Sequence, residues 1–130
     1  MSKTNEIRKL IASKLTNEEF VKRYGIKSVS YENADDDKVF PHIVFTLENI
    51  NLGDLSRHDA ILTIDIWDKS DSDNLAEDIT DEIEKMFWAQ NMPQNLILPT
   101  FFLENRRSVK DEDKKIRHKQ LEISIQNYER

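Results

Sequence analysis

The chain reads as one α+β domain over residues 1–130. It predicts a mostly antiparallel or mixed β-sheet of about four to five strands, covered on one face by an N-terminal helix and a central helix at about 71–88. Three observations predict this class. Residues 60–67 alternate apolar and polar side chains as a strand does, and residues 75–87 repeat their apolar side chains at helical spacing. No internal repeat or low-complexity linker divides the chain. At 130 residues such a domain buries roughly two thirds of its unfolded surface without disulfides or metals.

Taken in order, Ile7, Leu10, Ile11 and Leu15 fall on one face of a helix that Thr4 or Asn5 can cap. Thr16-Asn17-Glu18-Glu19 resembles a capping sequence for a second short helical turn carrying Phe20, Val21 and Tyr24. Gly25 stops it, because glycine suits a left-handed C-terminal position. Ser28 to Glu32 predicts a short strand, and Asn33 to Lys38, with three consecutive aspartates, an exposed loop. Phe40-Pro41-His42 then leads into a strand carrying Ile43, Phe45 and Leu47, which ends near residues 51–54.

The next strand places Ala60, Leu62, Ile64 and Ile66 on one face and Ile61, Thr63, Asp65 and Trp67 on the other. Two partly apolar faces predict a central strand. After a turn at Asp68–Ser72, Leu75, Ile79, Ile83, Met86 and Phe87 define the covering helix, with acidic residues crowding its positive end. A connection at 90–94 leads to the strand-like run Leu96–Leu103, which Pro99 consigns to an edge, a bulge or a break. Arg117, Lys119, Leu121, Ile123 and Ile125 alternate with polar residues, predicting a closing hairpin across a charged tip.

Composition narrows function. Apolar residues make up 38% and charged residues 34%, so the core is thin and some apolar surface is available to partners. With no cysteine there is no disulfide, thiolate metal site or cysteine nucleophile, which fits a reducing compartment. The first residues lack the apolar run of a signal peptide and no window approaches the ~20 apolar residues of a membrane span, so the expectation is a chain made and kept soluble, with no membrane partner. A net charge of −6 gives no field that draws the whole molecule to phosphate backbones. Arg106-Arg107 and Lys114-Lys115-Ile116-Arg117 are a local basic cluster, but Asp111, Glu112 and Asp113 lie between them. A solvated hairpin tip is the first reading there and an anion-binding patch the second.

The chemistry-bearing residues are few. Gly25 and Gly53 stand apart, so no glycine-rich cradle for a nucleotide phosphate exists, and His42, His58 and His118 do not pair at zinc-ligand spacing. No cofactor is expected. A metal-dependent nuclease needs carboxylates beside a lysine, for which Asp65 and the run Glu112-Asp113-Lys114-Lys115 are the candidates. Those lysines fall in the hairpin tip rather than on a strand, and the reading preferred for Asp65 is that it faces solvent or pairs with an arginine on a neighbouring strand or subunit. Trp67 and Trp88 read either as core packing or as interface anchors.

Several local phrases resemble the phage tail-terminator and tail-completion (head-tail joining) proteins. They are the N-terminal helix, the aromatic-proline strand start Phe40-Pro41-His42-Ile43-Val44-Phe45, and Leu62-Thr63-Ile64-Asp65-Ile66-Trp67-Asp68 followed by a helix with Leu75-Ala76 and Ile79. The closing hairpin, with Arg117-His118 before Leu121-Glu122-Ile123-Ser124-Ile125, completes the set. Sparse glycine and the long charged turn Lys110–Lys115 depart from many such proteins.

The resemblance implies a structural virion protein, not an enzyme. It implies a homo-oligomeric ring, usually of six subunits, which caps the head-proximal end of the tail tube and stops its polymerisation. Its partners are then itself, the tail tube protein and the head connector or stopper, with DNA only passing through the lumen. The implied place is the virion or a phage-like particle, assembled in the bacterial host cytoplasm. A neck adaptor or stopper is the alternative within virion structure, and a metal-dependent nuclease the alternative outside it. The residues expected at subunit or partner contacts are Asp65, Trp67, Phe102, Arg106, Arg107 and Arg117.

Overall fold

A computed structural model of the chain describes residues 3–32, 39–50, 57–88 and 100–128. The elements run α1 (Lys3–Leu15), α2 (Glu18–Tyr24), β1 (Ser28–Tyr31), β2 (His42–Ile50), β3 (Arg57–Lys69), α3 (Asn74–Trp88), β4 (Thr100–Val109) and β5 (Ile116–Tyr128). The strands form one five-stranded sheet in the order β1-β2-β3-β5-β4. The β1–β2 pairing is parallel and the other three are antiparallel. The mixed sheet with helices on one face is therefore as expected, and β3 is its central strand.

The alternation on each strand decides which side is buried. Ile43, Phe45 and Leu47 of β2, Ala60, Leu62, Ile64 and Ile66 of β3, and Leu121, Ile123 and Ile125 of β5 all point to one face and are buried. Onto them pack Ile7, Ile11 and Leu15 of α1, Phe20 of α2, and Ile79, Ile83 and Phe87 of α3. Phe87 meets Phe101 of β4 edge to face, with ring centroids 5.2 Å apart. Each such fully buried aliphatic side chain contributes roughly 1.5–3 kcal/mol relative to exposure. The apolar helix positions exist to cover this face, since a sheet cannot bury itself.

Local boundaries follow side-chain chemistry. Asn17 caps α2, its Oδ1 accepting from the backbone N–H groups of Glu19 and Phe20 at 3.0 and 3.4 Å. Gly25 closes the helix at φ 65° and ψ 33°, which lets its own N–H and that of Ile26 donate to the Val21 carbonyl. Glu32, at φ 70°, turns the chain away at the end of β1.

Helix α1 already includes Thr4 and Asn5, so neither stands before it as a cap. The central helix begins at Asn74 rather than about 71. The hydroxyls of Ser70 and Ser72 accept from the N–H groups of Ser72 and Asn74 at 3.2 and 3.1 Å, holding that stretch in turns. Its buried face also includes Thr80, unlisted by hydropathy, whose hydroxyl donates to the Ala76 carbonyl at 2.7 Å.

Strand β4 lies at an edge of the sheet, one of the places allowed for the 96–103 run, and its register with β5 slips at Glu104, between Leu103 and Asn105, beyond that run. Such a bulge places an extra residue in one strand and reverses the facing of everything beyond it. Phe101 and Leu103 point to the helices before it, and Arg106 and Ser108 do so after it. The acidic turn at 33–38, the strand end near 51–54, the connection 90–94 and Pro99 lie outside the described residues.

Candidate interaction surface

The face of the sheet opposite the helices carries most of the residues singled out from the sequence. Strand register sets His42 of β2 opposite Trp67 of β3, and Trp67 opposite His118 of β5. Their rings stack in a row across three strands. The His42 and Trp67 centroids are 4.8 Å apart at 23° between planes, and Trp67 and His118 are 4.2 Å apart at 20°. Phe40, just outside β2, adds a tilted contact to His42 at 5.2 Å. Flat rings at matched positions on neighbouring strands stack because antiparallel partners bring side chains within about 5 Å.

One step along the strands lies a polar row. Asp65 Oδ1 accepts from His118 Nε2 at 2.7 Å and from Gln120 Nε2 at 2.9 Å. The amide oxygen of Gln120 accepts in turn from Arg107, whose Nε is 2.7 Å away and whose second amino group also reaches it. Arg107 also lies 3.6 Å from Glu122. His42 is oriented separately, its Nδ1–H donating to the Val39 carbonyl at 2.7 Å. Asp65 is thus the acceptor at the centre of a network that orders His118, Gln120 and Arg107.

Phe102 is 42% exposed on this same face, in register with Ser124. Four of the six sequence-predicted contact residues, Asp65, Trp67, Phe102 and Arg107, therefore share one surface. Arg106 and Arg117 do not. The bulge at Glu104 turns Arg106 under α3, where it donates to Asp81 at 2.6 Å, Glu77 at 2.7 Å and Glu84 at 2.9 Å. These three carboxylates stand four and three residues apart along the helix, on one flank. Arg117 is spent on the turn before α3, donating to the carbonyls of Ser70 at 3.2 Å and Asp71 at 2.8 Å.

Lys119, which the sequence marked only as part of an alternating strand, is the buried member of this helix-side cluster. Its ammonium lies 2.6 Å from Asp73, 2.8 Å from Glu77 and 2.6 Å from the Ser108 hydroxyl. Burial by itself lowers the pKa of Lys119, but its hydrogen bonds to Asp73 and Glu77 and their charges outweigh that and hold it above the ordinary lysine value. The same balance, with Asp81 and Glu77 as the opposing groups, raises Arg106.

His42, His118 and Gln120 belong to the open face and were not singled out as contact residues. The period-two alternation that puts Trp67 and His118 on the polar side of their strands was visible, but not that the two rings meet. The acid-plus-lysine combination considered for nuclease chemistry does not assemble around Asp65. One oxygen of its carboxylate, Oδ1, accepts from His118 and Gln120, while Lys114 and Lys115 are exposed in the hairpin tip, Lys115 facing Asp71 at 4.0 Å. Among the described residues no three His, Cys, Asp or Glu side chains converge to hold a metal ion.

Comparison with known proteins adds the fold's company. No family model matches the chain, and no curated protein matches it by sequence. Among solved structures, a chain in the virion of a native gene transfer agent particle superposes with a TM-score of 0.71 at 8% identity, over 91% of both chains. The gp17 protein of bacteriophage SPP1 superposes with a TM-score of 0.55 at 13% identity, over 93% of this chain and 88% of its own. The fold is one found in phage and phage-like particles. At these identities the likeness is one of architecture, carried by the whole domain rather than by a shared motif.

Proposed function

We propose that this protein is a structural component of a phage or phage-like particle that caps the head-proximal end of the tail tube. In this reading copies of the chain form a ring, with six as the expected number, that stops tube-protein polymerisation and then presents a surface to the head connector. The observation that carries it is the superposition over 91% of both chains on a component of a gene transfer agent virion. The order of sequence phrases that resembles tail terminators points the same way. The side chains support it as well, since the clusters around Asp65 and around Arg106 and Lys119 tie strands and helices together. A nuclease would need a free carboxylate pair, which Asp65 does not provide.

A subunit with net charge −6 suits a passage for DNA, because a lumen that repels phosphate does not trap the genome. The test is removal of the protein from its particle. Overlong tube structures and heads without attached tails are expected. Tails of normal length joined to heads in its absence overturn the proposal.

A further inference from the structure

The aromatic row on the open face continues across the sheet in both directions. Beyond His118, the register brings in Val109 of β4. The bulge at Glu104 puts Val109 there, since one residue fewer would turn it to the helix side. Beyond His42 stand Phe40, in ring contact with it, and Val39, which is 38% exposed and whose carbonyl holds the His42 imidazole. Ile116 lies two residues before His118 on the same face of β5 and is half-buried, as are Val109, Trp67, Phe40 and both histidines. The row crosses β2, β3, β5 and β4, a span of about 14 Å.

The geometry of the rings and charges narrows what can sit on this row. Both faces of the Trp67 ring are taken by imidazoles, so the indole offers its edge and not a platform on which a base or a cation can stack. The charges that border the row are already paired. Asp65 accepts from His118 and Gln120, Arg107 lies 3.6 Å from Glu122, and Lys69 lies 3.9 Å from Asp113. No unpaired cation among these bordering groups is left to hold phosphate.

The ring edges, in contrast, are open. Nε1–H of Trp67, Nε2 of His42 and Nδ1 of His118 have no hydrogen-bond partner among the described residues. The one buried side-chain atom without a partner among those residues is Asp68 Oδ2, so these ring nitrogens are reached by solvent. Aliphatic side chains beside hydrogen-bonding ring edges suit a polypeptide with apolar side chains and free backbone groups.

We infer that this row docks a second virion protein, which lays an extended, uncharged and mainly aliphatic segment of about four to five residues across the strands. The inference rests on the reading of the chain as a particle component, and it names the surface by which that component meets another.

The test uses the full chain and purified particles assembled without it. Val39→Asp with Val109→Asp puts two charges into the row at positions outside the Asp65 network. Wild type is expected to co-sediment with the particles equally at 50 mM and 500 mM salt, because the contact needs no ion pair. The double variant is expected to bind at least tenfold more weakly with an unchanged melting temperature, and Lys110→Glu, in the exposed tip, to bind as wild type does. A photoreactive phenylalanine analogue in place of Val109 is expected to cross-link to a different virion protein, and this readout decides the matter where the double variant is destabilised. Wild type that does not co-sediment, binding lost at 500 mM salt, a folded double variant that binds like wild type, or cross-links that run only to a second copy or to DNA each overturn the inference. Tail length separates this from the capping role. Tails of normal length in particles lacking the protein end the capping reading alone, and overlong tails corrected by the double variant end the docking inference alone.

Discussion

The Nε2 of His118 lies 2.7 Å from Oδ1 of Asp65, across a β3–β5 pairing that joins residues 53 apart in the chain. That contact fixes the imidazole flat against Trp67, so one carboxylate orders both the polar and the aromatic rows of the open face. Asp65→Ala removes the acceptor of two donors at once. We expect a loss of about 1–3 kcal/mol in urea unfolding. Asp65→Asn, which keeps a carbonyl oxygen, is expected to lose less than half as much; equal losses would show that the network does not depend on this acceptor.

Trp67 is the middle ring of the stack and has an imidazole on each side. Trp67→Ala should cost about 2–4 kcal/mol, from lost burial and two ring pairs worth about 0.5–1.5 kcal/mol each. Trp67→Phe keeps a flat apolar ring there and is expected to recover at least half of that. Thermal unfolding of the two variants separates stacking from simple volume.

Arg106 holds three carboxylates on one helix flank and is itself largely covered. Replacing it by methionine leaves Glu77, Asp81 and Glu84 facing one another, at an expected cost of about 2–4 kcal/mol. Because the residual repulsion is between partly solvated groups, added salt should return part of the stability. A cost that does not change between 50 mM and 1 M salt would contradict this. Arg106→Lys is expected to rescue poorly, because a point charge cannot fork to three acceptors.

The folded state holds the Lys119 proton more tightly than the unfolded chain does, since its pKa is raised by Asp73 and Glu77 against the lowering effect of burial. Its stabilisation is therefore complete below the unfolded lysine value of about 10.4 and is lost as pH rises through the higher folded value. The stability gap between wild type and Lys119→Met should be constant from pH 8 to 10 and shrink above that. A gap that widens at high pH would reverse the sign and exclude the assignment.

Gly25 ends α2 at φ 65°, and a Cβ built there meets no atom within 4 Å. Gly25→Ala should therefore cost only the backbone penalty of a left-handed residue, about 1 kcal/mol, with no packing term. Gly25→Asn is expected to cost less, because asparagine tolerates this region. A melting-temperature loss several times larger for alanine would mean that this cap carries tertiary contacts.

Much of the architecture was legible because it is written in local periodicity. The two faces of β3, the apolar stripe from Leu75 to Phe87, the turn ended by Gly25 and the closing strand at 117–125 all follow from rules that act within a few residues. Helix starts were less legible, since Ser70 and Ser72 hold by hydroxyl bonds a stretch that the acidic pattern assigned to α3. Phe102 and Arg107 reached the open face for a reason that alternation could supply only in part, because it reverses at Glu104.

What the sequence by itself determined is the class of fold, the side of each strand that is buried, and the want of glycine, cysteine and histidine spacings that common catalytic sites use. What only the tertiary structure decided is which polar residues meet. His42, Trp67 and His118 form one row because β2, β3 and β5 pair in one register, and a slip of one residue would send each ring to the other face. One extra residue in β4 likewise gave Arg106 to the helix and left Arg107 on the open face. Period and composition are properties of neighbours along the chain. Register and bulge are set by hydrogen bonding between segments far apart in it, where a single residue changes every partner.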